Sequence, residues 1–323
     1  MRQRGGEMSS ARFQTPEAAS AALLQEPARR TDAFLKRWLR ARTGIPDLLR
    51  EAVGYSLFGP GKRIRPALAL LTCEAVGGRP EQALPAAGAL ELIHCFSLVH
   101  DDLPAMDNDN LRRGRPTNHK VYGETVAILA GDAMHTLAFE LLADTVKDPA
   151  LAQLLIRELA TASGPAGMIG GQLLDTCGER QYGSAKKSCY GAPSGGRRVD
   201  LLQRIHRMKT GALITAACRM GARCGGADDP LLRIVQTMGR AVGLSFQIVD
   251  DLLDATATQE QLGKRTGKDA PNGKLTYPSL LGIAESRRRL QRQQAIAERM
   301  TRRIGPRAQR LAEVIHILAR RDR

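Results

Sequence analysis

The sequence predicts an all-α protein folded as a single domain. Hydrophobic residues reach 43% while aromatics contribute only 4%. Ala and Leu are abundant and β-branched residues do not cluster, which favours helices packed through small aliphatic side chains over a β-rich core. Long segments place apolar residues at i, i+3 and i+4, strand signals are nearly absent, and no internal repeat stands out. With 323 residues, the chain is long enough to bury a sizeable core as one large domain or two ordinary ones.

Residues 1–20 are rich in Arg, Ser and Gly and read as a disordered tail, with Met8 an alternative start and 21–323 the folded domain. Glu7, Glu17 and Glu26 interrupt the acid-poor pattern of an organellar transit segment, and no apolar signal core precedes them. An amphipathic helix is expected over 18–42. GYSLFGPGKRIRP, residues 54–66, reads as a loop leading into a helix through Cys73. Its glycines and lysine lack the GxxxxGK[ST] spacing of a phosphate-binding loop. From 82 to 103 the pattern is helical, with Leu90, His94, Ser97, Leu98 and Asp101 on one face, and Pro104 ends it. Further helices are expected over 125–146, 149–163, around Gly171, and over 199–223 and 230–254. Residues 177–198 (CGERQYGSAKKSCYGAPSGGRR) lack apolar periodicity and read as a flexible surface loop. Residues 263–278 read as a second loop, rich in Gly and Lys.

The 48 Lys and Arg against 33 Asp and Glu give a formal charge of +15. Such an excess suits nucleic acid, an anionic membrane surface or a phosphorylated substrate. Twelve arginines lie between Arg287 and Arg323 in a helix-compatible segment, which reads as a solvated helical face. No zinc finger, RNP-like strand or aromatic interleaving supports nucleic-acid binding. The six cysteines are scattered without CxxC spacing, as expected of buried free thiols in a reducing, cytoplasmic setting. No apolar run is expected to span a bilayer.

Two acidic clusters carry the chemistry: DDLPAMD, from Asp101 to Asp107, and DDLLD, from Asp250 to Asp254. Each ends a long apolar helical segment, where carboxylates must be paired, protonated or coordinated to a cation. Asp250 and Asp254 share a helix face, with Gln247 one turn earlier and Asp251 adjacent. Basic residues accompany both: Lys62, Arg63 and Arg65 upstream, Arg112 and Arg113 after the first cluster, and Lys209, Lys264, Lys268 and Lys274 further on. A diphosphate held through magnesium satisfies all of these groups, because magnesium prefers one or two carboxylates together with phosphate oxygens and water, and Arg binds phosphate bidentately. A solvated, acid-rich helix end is the alternative for either cluster alone.

The ordered motifs GKRIRP, LIHCFSLVHDDLPAMDNDNLRRGRPT, GDAMHTLAFELL, GGQLLD, KTGAL, FQIVDDLLD, LGK and GKLTYPSLLG resemble the trans-isoprenyl diphosphate synthases, the farnesyl and geranylgeranyl diphosphate synthase family. The resemblance implies a helical bundle around a deep central cavity, a homodimer, and three magnesium ions, for which manganese substitutes. Asp101, Asp107 and Asp250 would be the principal metal ligands, with Asp102, Asp251 and Asp254 ligands or their supports. Lys62, Arg65, His94 and Arg113 would bind isopentenyl diphosphate. Arg112, Lys209 and Lys264 fall to the allylic diphosphate, Lys274 would bind substrate, and Gln172, Asp175, Thr210 and Gln247 would line the reaction centre. His100 and His206 read as structural. Phe96 and Ser97 would set product length: Phe96 lies five residues, or about 7.5 Å along a helix, before Asp101. A ring there resembles the floor of farnesyl synthases, with core packing the alternative, while NHKVYGETVAILAGD resembles the geranylgeranyl branch. A silent partner subunit is the rival reading, and such subunits usually lack one cluster. Asn108 and Asn110 stand where the family often has acids, and the 177–198 segment is longer than the family's connection.

Overall fold

The computed structural model describes residues 16–177, 181–182, 187–188, 196–256 and 275–319. In chain order these give α1 (Pro16–Arg40), α2 (Asp47–Leu57), α3 (Ile64–Ala75) and α4 (Leu84–Asp101). A small hairpin follows, β1 (Leu111–Arg112) with β2 (Arg115–Pro116), then α5 (Asn118–Tyr122), α6 (Glu124–Thr145), α7 (Pro149–Ser163) and α8 (Met168–Cys177). A second hairpin joins β3 (Gln181–Tyr182) to β4 (Lys187–Ser188). The chain continues through α9 (Gly196–His206), α10 (Ala212–Cys224), α11 (Asp229–Thr256), α12 (Tyr277–Ile304) and α13 (Gln309–Ala319).

The all-α expectation holds, with small differences of boundary. α1 begins at Pro16, inside the stretch read as tail; residues 1–15 lie outside the described residues. α2 was not foreseen, and its last turn occupies the start of the expected 54–66 loop. Pro46 stands at its N-cap, and Ala52, Val53 and Leu57 give it one buried face. Within 177–198, the described residues hold the end of α8, the β3–β4 hairpin and the start of α9; the rest of that segment lies outside them.

The core is built on α4, which packs against α3 and α6, while α10 packs against α3 and α11. Small residues bring these helices close: a Cβ on Gly221 of α10 would lie 2.1 Å from the Ala69 carbonyl oxygen of α3. A second, smaller cluster gathers Leu202, Ile248, Val249, Leu252, Tyr277 and Leu290 from α9, α11 and α12. It anchors the end of α11 that carries the second acidic cluster.

The described residues hold no clear membrane-spanning segment, although two helices meet the length and composition for one. Two segments, Pro80–Asp101 and Glu124–Thr145, are long and apolar enough to cross a membrane by length and composition. Their apolar character has a tertiary cause. The first has 72% of its apolar window buried in the core, where α4 packs on α6; the second has 44% buried. Cys73, Cys95, Cys218 and Cys224 are free and buried.

Candidate active site

The first acidic cluster is shaped by the end of α4. Pro104 stops the helix, and the chain wraps back so that the Asp107 amide donates to the Asp101 carbonyl at 2.8 Å and the Asn108 amide to the Leu103 carbonyl at 3.1 Å. Asn108 takes φ 51°, a left-handed conformation that Asn tolerates better than most residues. The departure from the family's acid therefore falls where backbone geometry favours Asn. In the LRRGRP run, Arg113 and Gly114 take φ 52° and 76° at the tip of the β1–β2 hairpin, the positive-φ pair that suits a two-residue hairpin turn. This turn returns Arg112 to the buried Asp102, and its guanidinium donates to both carboxylate oxygens at 2.6–2.9 Å. Burial pushes the Asp102 carboxyl up, and Arg112 opposes the rise.

Asp101 sits on the other side of the helix end. Burial raises its carboxyl to about 6; Asp107 and Asp102 add to the rise, while Lys209 and Arg112 oppose it. Lys209 and Thr210 lie in a π-helical turn, Arg207–Gly211, which interrupts what the sequence suggested was one continuous helix from α9 through α10. Such turns shift side chains out of the helical register and are frequent at functional sites. Two glycines clamp it: a Cβ on Gly171 of α8 would lie 2.2 Å from the Lys209 amide nitrogen, and one on Gly243 of α11 would lie 2.8 Å from the Gly211 Cα.

From this turn the polar contacts run on to the second cluster. Lys209 Nζ donates to Asp175 Oδ2 at 2.5 Å. Thr210 Oγ1 donates to Gln247 Oε1 at 3.1 Å, and Gln247 Nε2 lies 3.3 Å from Asp250 Oδ2. Asp250 also acts electrostatically on Arg65 of α3. The two clusters thus close around one region, through Lys209, Thr210 and Gln247. Asp251 faces elsewhere: its Oδ2 accepts from the Tyr277 amide at 2.8 Å and its Oδ1 lies 3.8 Å from His206 Nε2. It ties α11 to the start of α12. Asp254 is exposed one turn beyond Asp250.

A group of basic residues lies near the clusters. His94 is held well below the usual imidazole range by burial and then by the charges of Arg65, Arg113, Arg112 and Arg63. Arg65 carries a buried Nε without an acceptor among the described residues, a donor suited to an anion. Lys62 is exposed on the same loop. Arg63, which the sequence grouped with the phosphate-facing cations, instead turns inward. It is 4% exposed and forms ion pairs with Asp32 and Glu91. The sequence reading missed Asp32 and Glu91, which are distant in sequence and carry no motif spacing of their own. Gln172 keeps a buried Oε1 without a donor among the described residues. Below the first cluster, the Phe96 ring meets His135 edge-on at 5.0 Å and His100 at 5.5 Å, and His135 meets Phe139 at 5.3 Å. Ser97 Oγ donates to the His94 carbonyl at 2.9 Å. Lys264 and Lys274 lie outside the described residues.

The donor set fits a hard divalent cation. All the acidic candidates offer carboxylate oxygens, and Asp101 is half-buried with Asp107 acting against its charge, a situation an external cation relieves. Among the described residues no three acidic, His or Cys groups converge on one point. Each ion would therefore take one or two protein ligands and complete its shell from phosphate and water, the usual habit of magnesium. Because Asp101 binds its proton more tightly in the native than in the unfolded chain, stability should fall as pH rises from 3.8 toward about 6. Asp101→Asn should then raise the melting temperature at pH 7 in EDTA by roughly 2 °C or more. Magnesium with inorganic pyrophosphate should stabilise the wild type and leave this variant little changed. Melting curves decide it, and a lower melting temperature for the variant would refute the account.

Comparisons with known proteins place the chain in a family. The sequence model of the Polyprenyl synthetase family matches residues 46–317. The farnesyl diphosphate synthase of Geobacillus stearothermophilus is 41% identical over 304 residues, which cover 93% of this chain and 97% of that protein. Geranylgeranyl pyrophosphate synthase 7 of Arabidopsis thaliana is 47% identical over 243 residues, 75% of this chain and 67% of that one. The crystal structure of an FPP/GFPP synthase from Zymomonas mobilis superposes with a TM-score of 0.79 at 34% identity, covering 93% of this chain and 99% of that chain. The chain belongs to the polyprenyl synthetase family, with its all-α isoprenoid synthase fold and the prenyltransferase activity of a short-chain prenyl diphosphate synthase.

Proposed function

We propose that the protein condenses isopentenyl diphosphate with the allylic substrates dimethylallyl and geranyl diphosphate, giving mainly farnesyl diphosphate. The observation that carries this reading is the polar path from Asp101 past Lys209, Thr210 and Gln247 to Asp250, with the basic group of Arg65, His94 and Arg113 near it. One region holds acids for an allylic diphosphate, and the other holds cations for a second diphosphate. Asp101, Asp107 and Asp250 would hold magnesium, or manganese in its place, in a set of three ions. Bound there, the ions supply positive charge against the leaving diphosphate. Both acidic clusters are intact, which disfavours a silent partner subunit.

The chain's own residues do the rest. Lys209, anchored by Asp175, sets a positive charge beside the departing oxygen as the allylic C–O bond breaks. Thr210 donates its proton to Gln247, leaving its oxygen lone pairs to face the developing carbocation. The isopentenyl double bond attacks the allylic C1, and a proton then leaves the former isopentenyl C2 for the departed diphosphate. No side-chain base is required. Neutral His94 donates to the bound isopentenyl diphosphate alongside Arg65 and Arg113. Excluding water protects the cation from hydrolysis.

Phe96 supports a fifteen-carbon product, because its ring, braced by His100 and His135, lies below the first cluster. A twenty-carbon product is the second reading, favoured by the geranylgeranyl synthases among the relatives. We also propose that the protein is a homodimer. Ile128 and Leu129 on α6 are 44% and 52% exposed, Val121 on α5 is 45% exposed and Leu111 on β1 is 60% exposed; a second copy would cover this apolar surface.

Purified protein with magnesium, labelled isopentenyl diphosphate and each allylic primer should yield a fifteen-carbon diphosphate on chromatography. Asp250→Ala should cut turnover roughly 100- to 1000-fold with the helical circular dichroism unchanged; full turnover would refute its role. Phe96→Ala should extend the product to twenty carbons or more, and an unchanged chain length would remove Phe96 as the floor. Light scattering should return twice the 35.1 kDa chain mass, and a monomeric mass would end the dimer proposal.

A further inference from the structure

Arg63 is built into the fold in a way the reaction does not by itself explain. It adopts φ 47° at the N-cap of α3, a left-handed conformation that is unfavourable for a non-glycine residue. Its guanidinium is spent entirely on the protein. Nε donates to Asp32 Oδ1 at 2.9 Å, Nη2 donates to the Leu57 and Gly59 carbonyls at 2.8 and 3.1 Å, and Nη1 lies 3.4 Å from Glu91 Oε1. These contacts join α1, the end of α2, the 58–63 loop and α4.

Glu91 is the key partner. It is 2% exposed, and an ionised carboxylate that deep requires cations around it. Burial pushes its carboxyl up, and Arg63, Arg65 and Arg113 pull it back. Those same arginines surround His94. Gly61 sits between two of them: a Cβ there would lie 2.3 Å from Arg113 Nη1 and 2.4 Å from Arg63 Nη1. Arg113 Nη1 in turn donates to the Pro60 carbonyl at 2.5 Å. The loop is threaded between guanidinium groups whose mutual repulsion Glu91 offsets from beneath.

We infer that Asp32, Arg63 and Glu91 form a buried strut that positions the 60–65 loop and holds Arg65 and Arg113 ready for the isopentenyl diphosphate. They are positioning residues and touch no substrate. The inference rests on the functional reading above and deepens it, by naming what preorganises one of its two diphosphate sites. Arg63 cannot be replaced by Lys in this role, because a point ammonium cannot reach two carboxylates and two carbonyls at once.

The test separates the two diphosphate sites. In steady state, Glu91→Gln should raise KM for isopentenyl diphosphate about tenfold. The allylic KM should stay within twofold, and kcat at saturating isopentenyl diphosphate should be largely retained. Calorimetric titration of isopentenyl diphosphate in EDTA should show the same tenfold weakening in Glu91→Gln and in Arg63→Lys. Asp32→Asn reaches the strut at its more exposed end and decides the matter if Glu91→Gln fails to fold. Unchanged isopentenyl diphosphate affinity in the folded variants, or an equal loss of allylic affinity, would overturn the strut. A wild type that binds isopentenyl diphosphate in EDTA but condenses nothing would sink the functional reading, and the calorimetric arm would still decide the strut.

Discussion

Burying ionised groups at the ends of apolar helices is the constraint on which the rest of this structure depends. α4 is buried along most of its length, yet it carries Glu91 and His94 midway and Asp101 and Asp102 at its end. An isolated charge in such a place is prohibitively costly, so each acid has been given a partner. Glu91 has Arg63, Asp102 has Arg112 in a bidentate clasp, and Asp101 has Lys209 at a distance. The partners come from α3, the β1–β2 hairpin and the π-helical turn, and the demand for charge balance therefore dictates which elements meet at the end of α4. Removing one partner from such a pair leaves a buried uncompensated charge, which is far more destabilising than the pair is stabilising.

The same accounting divides the cations into two kinds. Arg63 and Arg112 are satisfied by carboxylates within the protein, and they shape loops. Among the described residues Arg65 has a buried donor without an acceptor, and burial with four arginine charges holds the His94 imidazole well below its usual range. The reaction centre follows a similar logic. Gln247 connects Thr210 to Asp250, so the position of the second cluster is coupled to the Thr210 hydroxyl.

Much of this was legible in the chain. Helix-period segments anticipated α1, α4, α6, α7 and α11 to within a few residues, because long amphipathic or fully apolar runs leave few alternatives. The spacing of Asp250, Asp254 and Gln247 put them on one face, while Asp251 falls to the side that packs on Tyr277. α2 escaped notice because it is short, and its Gly54 and Tyr55 blend into the glycine-rich loop that follows. The π-helical turn was equally hidden: RMKTG is compatible with an ordinary helix, and only the close approach of Gly171 and Gly243 selects the wider turn.

The sequence by itself determined the helical class, the two acidic clusters and the family to which they belong, since all three are written in local pattern and in the order of motifs. Only the tertiary structure decided which charges are paired within the fold. Arg63 and Arg65 are two residues apart and chemically alike, but among the described residues one meets Asp32 and Glu91 while the other keeps an unmet donor. Partners separated by 28 or 31 positions along the chain, as Glu91 and Asp32 are from Arg63, meet only when α1, α3 and α4 pack together. Burial then turns that meeting into a strong constraint, because desolvated charges must be paired where they lie.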